Sequence, residues 1–191
     1  AMEKGSRFGR KEKESAWQSA EVDALYKLAS AGVRVPRPYG FFDGVLLMEL
    51  VTDAEGDAAP RLADVAPSPE LAVEYHGFLI GQVVRMLCAG LVHGDLSEFN
   101  ILVDAEGPVI IDLPQAVDAA RNNHAKRMLL RDVANLADYL GQFAPGLRET
   151  DYGHEIWAHY EAGTLTPATP LTGAFAHSEA LADVDGVLKE I

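Results

Sequence analysis

Leu91-Val92-His93-Gly94-Asp95-Leu96-Ser97-Glu98-Phe99-Asn100-Ile101-Leu102-Val103-Asp104, followed by Val109-Ile110-Ile111-Asp112, is the stretch on which the fold turns. Just upstream, residues 69–89 carry Leu71, Tyr75, Phe78, Leu79, Val83, Met86 and Leu87 as a broad apolar stripe at helical spacing, and Gly90 closes it. A polar loop with His93, Asp95, Ser97, Glu98 and Asn100 follows. Two short apolar strands, 101–104 and 109–113, then flank a turn at Ala105-Glu106-Gly107-Pro108 and deliver Asp112 at the end of the second. Polar groups set between apolar strands are costly unless they are paired or bind something.

Oxygen ligands from Asn100 and Asp112 suit magnesium, which takes one or two protein oxygens and completes its shell with phosphate and water. Asp95 is then free to orient a hydroxyl nucleophile. An aspartate five residues before an asparagine, with a second aspartate on the following hairpin, is the division of labour in phosphoryl transfer. Aspartate and asparagine also favour ordinary turns, and an isolated Asp-x4-Asn would carry no more than that. The joint pattern, with apolar strands on the correct sides, points to chemistry.

Outward from this centre, residues 14–31 read as a helix, with Trp17, Ala20, Ala24, Leu25 and Leu28 at helical spacing and Gly32, Pro36 and Pro38 ending it. Residues 39–50 read as a hairpin around Asp43-Gly44, a dipeptide suited to positive φ. Residues 52–68 read as a loop with room for one short helix. A long helix is expected over 122–143, another around Tyr152 to Glu161, and an amphipathic one over 178–191. The order predicts an α+β architecture dominated by helices. Glu21 falls on the stripe of Trp17, Leu25 and Leu28, where a carboxylate needs a partner or must rest at the stripe's edge with its head in water.

The chain has 191 residues, 48% of them hydrophobic, enough for one compact domain or one lobe of a larger enzyme. No apolar run reaches the ~18 residues a membrane span needs. No signal-peptide pattern is visible near the start, and a lone cysteine, Cys88, fits a reducing compartment, so the cytoplasm is expected. Cys88 itself is expected to be a buried, inert thiol. Net charge is −13, which gives no support to contact with nucleic acid, ribosome or anionic membrane outside a local basic patch. One such patch gathers Lys4, Arg7, Arg10, Lys11 and Lys13, and reads either as a solvated segment or as a docking strip for an anionic partner. His154 and His159 lie five apart, roughly 140° around a helix, which does not suit joint zinc binding.

His93-Gly94-Asp95-Leu96-Ser97-Glu98-Phe99-Asn100 with Ile111-Asp112-Leu113-Pro114-Gln115 resembles the RIO family of atypical serine/threonine protein kinases, over nearly the whole chain. Asn123-His124-Ala125 and Leu130-Arg131-Asp132-Val133 resemble the helix after that family's metal loop, and Leu47-Met48-Glu49-Leu50 looks like its hinge. The resemblance implies a protein-kinase-like fold whose large lobe is mostly helical and carries two short hairpins. It implies ATP and Mg2+ as cofactors and a protein substrate with Ser or Thr, or the chain itself, as acceptor; ATP hydrolysis is the other turnover it allows. By resemblance Asp95 is the catalytic aspartate, Asn100 and Asp112 hold magnesium, Met48 is the gatekeeper, and Glu49 and Leu50 offer backbone groups to adenine. Glu21 would pair with a strand lysine that holds phosphates. Asp132 is expected to be buried and to receive backbone N–H groups of the catalytic loop, and His93 to bond loop backbone.

The departure lies at the front. No glycine-rich loop and no strand lysine precede Glu21: Gly5-Ser6-Arg7-Phe8-Gly9-Arg10-Lys11 has the wrong spacing and follows no apolar strand. Residues 1–50 are therefore expected to be a remnant of the small lobe, largely missing here, and 51–191 the helical catalytic lobe. On this reading the chain alone is weakly active or inactive. Two rival readings remain open: a small-molecule kinase of aminoglycoside or choline phosphotransferase type, and a non-catalytic pseudokinase scaffold. Ser97-Glu98 and Leu113-Pro114-Gln115 depart from the first, and intact Asp95, Asn100 and Asp112 speak against the second.

Overall fold

The computed structural model describes residues 20–176, an α+β fold with four helices and three short antiparallel strand pairs over that range. Helix α1 occupies 20–30 of the described chain, with Leu25 and Leu28 buried on the expected stripe; Trp17 and the segment 178–191 lie outside the described residues. Strands β1 (Pro38–Phe42) and β2 (Val45–Met48) pair around Asp43-Gly44, whose φ values of 51° and 81° are those a tight two-residue turn requires. A 3-10 turn at Leu62–Asp64 is the short helix of the following loop.

Helix α2 (Pro69–Cys88) starts where Ser68 Oγ accepts from Leu71 N at 3.2 Å and Pro69 stands at the first turn. Its stripe, with Leu79, Val83, Met86 and Leu87 buried, packs against α3 (Ala125–Leu140) and α4 (Tyr152–Glu161). One main core runs through these helices and takes in Ile101, Ile110, Leu129, Leu136 and Ile156. No helix among the described residues is long and apolar enough to cross a membrane.

Strand β3 (Leu91–Val92) leaves α2 and pairs with β6 (Val117–Asp118), a contact of two residues a side that shows no periodicity in sequence. Strands β4 (Ile101–Asp104) and β5 (Gly107–Ile110) form the second hairpin. β5 starts two residues earlier than the spacing predicts, because Asp104 Oδ1 accepts from Glu106 N at 2.8 Å and closes the turn at Ala105-Glu106 alone. It also ends earlier: Asp112 has φ 66°, a left-handed conformation no strand continues through. Helix α3 is shorter at both ends than 122–143; Asn122 Oδ1 accepts from His124 N at 2.8 Å in a turn before it, and Gly141 follows it. Cys88 is a correction. It sits exposed at the last position of α2, and its thiol contacts Leu165 O at 3.8 Å.

Candidate active site

The loop after β3 is held by helix α3. Asp132 is 2% exposed, and its carboxylate accepts from Gly94 N at 2.7 Å and Leu96 N at 3.0 Å. The carbonyls of the same two residues are also taken: Arg131 Nη2 donates to Gly94 O, and Asn135 Nδ2 donates to Leu96 O at 3.0 Å. One helix face thus fixes both polar groups of the residues flanking Asp95. Burial pushes the Asp132 carboxyl up to about 6, against the downward pull of the two backbone N–H groups and Arg131. Gly94 is required for this approach. Its φ is 82°, and a Cβ there would stand 2.5 Å from Met128 Cε and 2.7 Å from Gln115 O.

His93 is buried and spans two strand ends. Its Nε2 meets Ile111 O at 3.0 Å, and its Nδ1 meets Asp95 N at 3.3 Å. A neutral ring protonated at Nε2 donates to the carbonyl and accepts from the amide at once. Burial lowers its basicity, in keeping with that form. Asn100 Nδ2 donates to Asp95 O at 2.8 Å, which leaves the amide oxygen of Asn100 available. Ile111 N donates to Asn100 O at 3.0 Å and ties the approach to Asp112 to the same loop.

A cavity of about 590 Å³ lies between α1, the β1–β2 hairpin and the β4–β5 hairpin, with Glu21, Met48, Glu49, Leu50, Asn100 and Asp112 all on its walls. Asp95 is exposed beside it, joined through Asn100. Leu46, Val51 and Ile110 give the cavity apolar wall beside the Met48–Leu50 strip, and Asn100 and Asp112 add polar oxygens. Glu21 is half-buried; burial, and then the charge of Asp112, pushes its carboxyl up. The two carboxylates therefore face a common space in which a cation is favoured. An amide oxygen and a carboxylate beside an open cavity fit magnesium, which keeps several non-protein ligands. Glu49 N donates to Arg37 O at 2.8 Å, so what Glu49 has left for a ligand is its carbonyl.

With this geometry in hand, comparison with known proteins is decisive: the RIO domain model matches residues 1–152. The chain belongs to the RIO family. Relatives of this RIO domain include the RIO-type serine/threonine-protein kinase Rio1 of Haloferax volcanii, 41% identical over 126 residues, which are 65% of this chain and 41% of that protein. The protein of the same name from Thermoplasma acidophilum is 34% identical over 133 residues, 70% of this chain and 68% of that protein. The human serine/threonine-protein kinase RIO1 is 36% identical over 124 residues, 64% of this chain and 22% of that protein. The RIO domain described here thus spans less than half the length of the Haloferax and human relatives it matches.

Arg131 and Asn135 are the residues of the site whose contacts with the loop were not foreseen. Arg131 lay inside a motif already singled out, but its contact with Gly94 O depends on the distance between α3 and the loop. Asn135 lies four residues after Arg131, one turn along the same helix face, and that spacing was the available signal. His154 Nδ1 meets Asp151 Oδ1 at 2.7 Å while His159 Nδ1 meets Thr164 Oγ1 at 3.0 Å, so the two rings take different partners.

Proposed function

We propose that this chain carries the phosphoryl-transfer centre of a RIO-type serine/threonine protein kinase, acting on a Ser or Thr hydroxyl with ATP and magnesium. Magnesium–ATP, when bound, supplies the phosphoryl group and the metal charge that stabilises it. Asn100 and Asp112 would hold the metal. Asp95 orients the acceptor hydroxyl and takes its proton; its backbone is fixed by His93 and Asn100, and its neighbours by α3. Met48, the Glu49 carbonyl and Leu50 line the cavity where adenine would lie, and Glu21, on the same cavity, would pair with a cation near the phosphates.

The observation that carries the reading is the 2.8 Å bond from Asn100 Nδ2 to Asp95 O. It binds the catalytic and metal-holding residues into one unit and leaves the Asn100 amide oxygen to the metal. We read residues up to about 50 as belonging to a small lobe. Phe42, Val45 and Leu47 are exposed on β1 and β2 at 66%, 65% and 55%, an apolar surface of the kind further strands cover. The single, unpaired cysteine suits the cytoplasm.

The test is Asp95→Asn in the full-length protein, with radiolabelled ATP and protein, aminoglycoside and choline acceptors side by side. Asp95 acts on the nucleophile, so transfer to protein should fall ~10²–10⁴-fold with nucleotide affinity nearly unchanged. Near-normal protein phosphorylation by the variant would remove Asp95 from this role. Transfer to the small molecules alone would replace the substrate class.

A further inference from the structure

A second cleft, about 770 Å³, lies on the far side of α1, between its C-terminal end, the segment leading into β1, and α2. Its walls hold Arg34, Arg37 and Arg85 and not one carboxylate, in a chain with 29 acidic residues against 16 basic ones. Arg34 is already fixed: its guanidinium bonds Asp104 at 2.7 Å and Gly107 O at 3.1 Å. The guanidinium groups of Arg37 and Arg85 form no ion pair among the described residues; the Glu49 carboxylate accepts from the Arg37 backbone N at 3.0 Å. A Cβ on Gly32 would come within 3.5 Å of Arg85 Nη1, so this guanidinium lies over the last turn of α1, where helix carbonyls favour a cation.

The floor is equally one-sided. Gln82 is 6% exposed, and its Oε1 accepts from Arg34 N at 2.8 Å, which leaves its NH2 group as a donor at the cleft wall. Phe78 and Tyr26 add ring surface beside these donors. We propose that this cleft is a docking site for an acidic peptide segment of a partner protein. Its carboxylates would meet Arg37, Arg85 and the Gln82 amide, and an apolar side chain would lie on Phe78. The form of the surroundings favours an extended peptide. The cleft runs up to Arg37 and Pro38 at the start of β1, a strand whose other edge is unpaired among the described residues.

The probe is fluorescein-labelled octaglutamate, followed by anisotropy on the whole chain at low and high salt, with an oligo-dU of equal length as comparison. Arg37→Glu with Arg85→Glu should weaken octaglutamate binding about tenfold or more. Reversal of Lys4, Arg7 and Lys11 in the basic N-terminal strip should change it far less. Urea unfolding of each variant establishes that it is folded, and a folded Arg37→Gln, Arg85→Gln pair should fall between wild type and the reversal. Binding lost on reversal of the N-terminal strip and retained in the Arg37/Arg85 variants overturns the proposal. Oligo-dU binding that equals octaglutamate binding and depends on Arg37 and Arg85 overturns the choice of a peptide.

Discussion

Asp132→Asn separates what holds the catalytic loop from what holds the fold. The Asp132 carboxyl titrates near 6, against 3.8 for an ordinary aspartate, so its ionised form costs the folded chain about 3 kcal/mol at neutral pH. Asparagine removes that cost. It also turns an NH2 group towards Gly94 N or Leu96 N and leaves one buried N–H unpaired, at ~1–3 kcal/mol. The two effects nearly cancel, and the variant's stability at pH 7 should lie within about 2 kcal/mol of wild type. The pH slope should change sharply. Between about 4 and 6 the folded chain keeps the Asp132 proton while the unfolded chain has lost it, so this group's contribution to stability falls as pH rises through that window and is level above it. The variant lacks this slope. Urea unfolding from pH 4 to 8 reads the stability, and amide exchange at Gly94 and Leu96 reads the loop. One of the two amides should lose protection in the variant, and both should shift in wild type with a midpoint near 6. Two amides indifferent to both mutation and pH would show that Asp132 does not hold this loop.

Gly94→Ala places a Cβ against Met128 and the Gln115 carbonyl and forces a left-handed alanine, so stability should fall by about 2–4 kcal/mol in urea unfolding. His76 is buried on α2 with Nε2 unpartnered among the described residues, and burial lowers its basicity. The unfolded chain therefore binds the extra proton first, and stability should fall as pH drops below 6.5. His76→Phe should reduce that acid sensitivity, measured by thermal unfolding at pH 5 and 7.

The parts of the fold legible in the sequence are those with a strong local cause. Asp43-Gly44 announces its turn because few other residues tolerate positive φ, and α2 announces itself through a stripe whose residues are buried as the spacing requires. The pairing of β3 with β6 was not legible, because two residues on each strand make no pattern. The early end of β5 was hidden for another reason. Val109-Ile110-Ile111 favours a strand throughout, and nothing in that run announces the left-handed backbone at Asp112. At the site, the Asp95–Asn100 spacing and the later Asp112 were visible, and the cavity brings Asn100 and Asp112 together with Glu21 and the Met48–Leu50 strip. The contacts of Arg131 and Asn135 were not visible, since each depends on how closely α3 approaches the loop. The exposure of Cys88 shows the limit of reading burial from an apolar neighbourhood: it lies on the outer face of α2 with Glu74 and Gly77, while Leu87 before it and Val92 after it are in the core.

The most direct test of the account is calorimetric titration of ATP into the full-length protein, with magnesium and with chelator, for wild type and Asp112→Asn. Asparagine tolerates the left-handed conformation that Asp112 adopts at φ 66°, so the substitution removes charge with little backbone cost. The account predicts that magnesium strengthens ATP binding to wild type and that this gain is lost in the variant, with magnesium-free affinity little changed. An equal magnesium gain in both proteins would contradict the assignment of the metal to Asp112, and with it the reading of this cavity as a phosphoryl-transfer site.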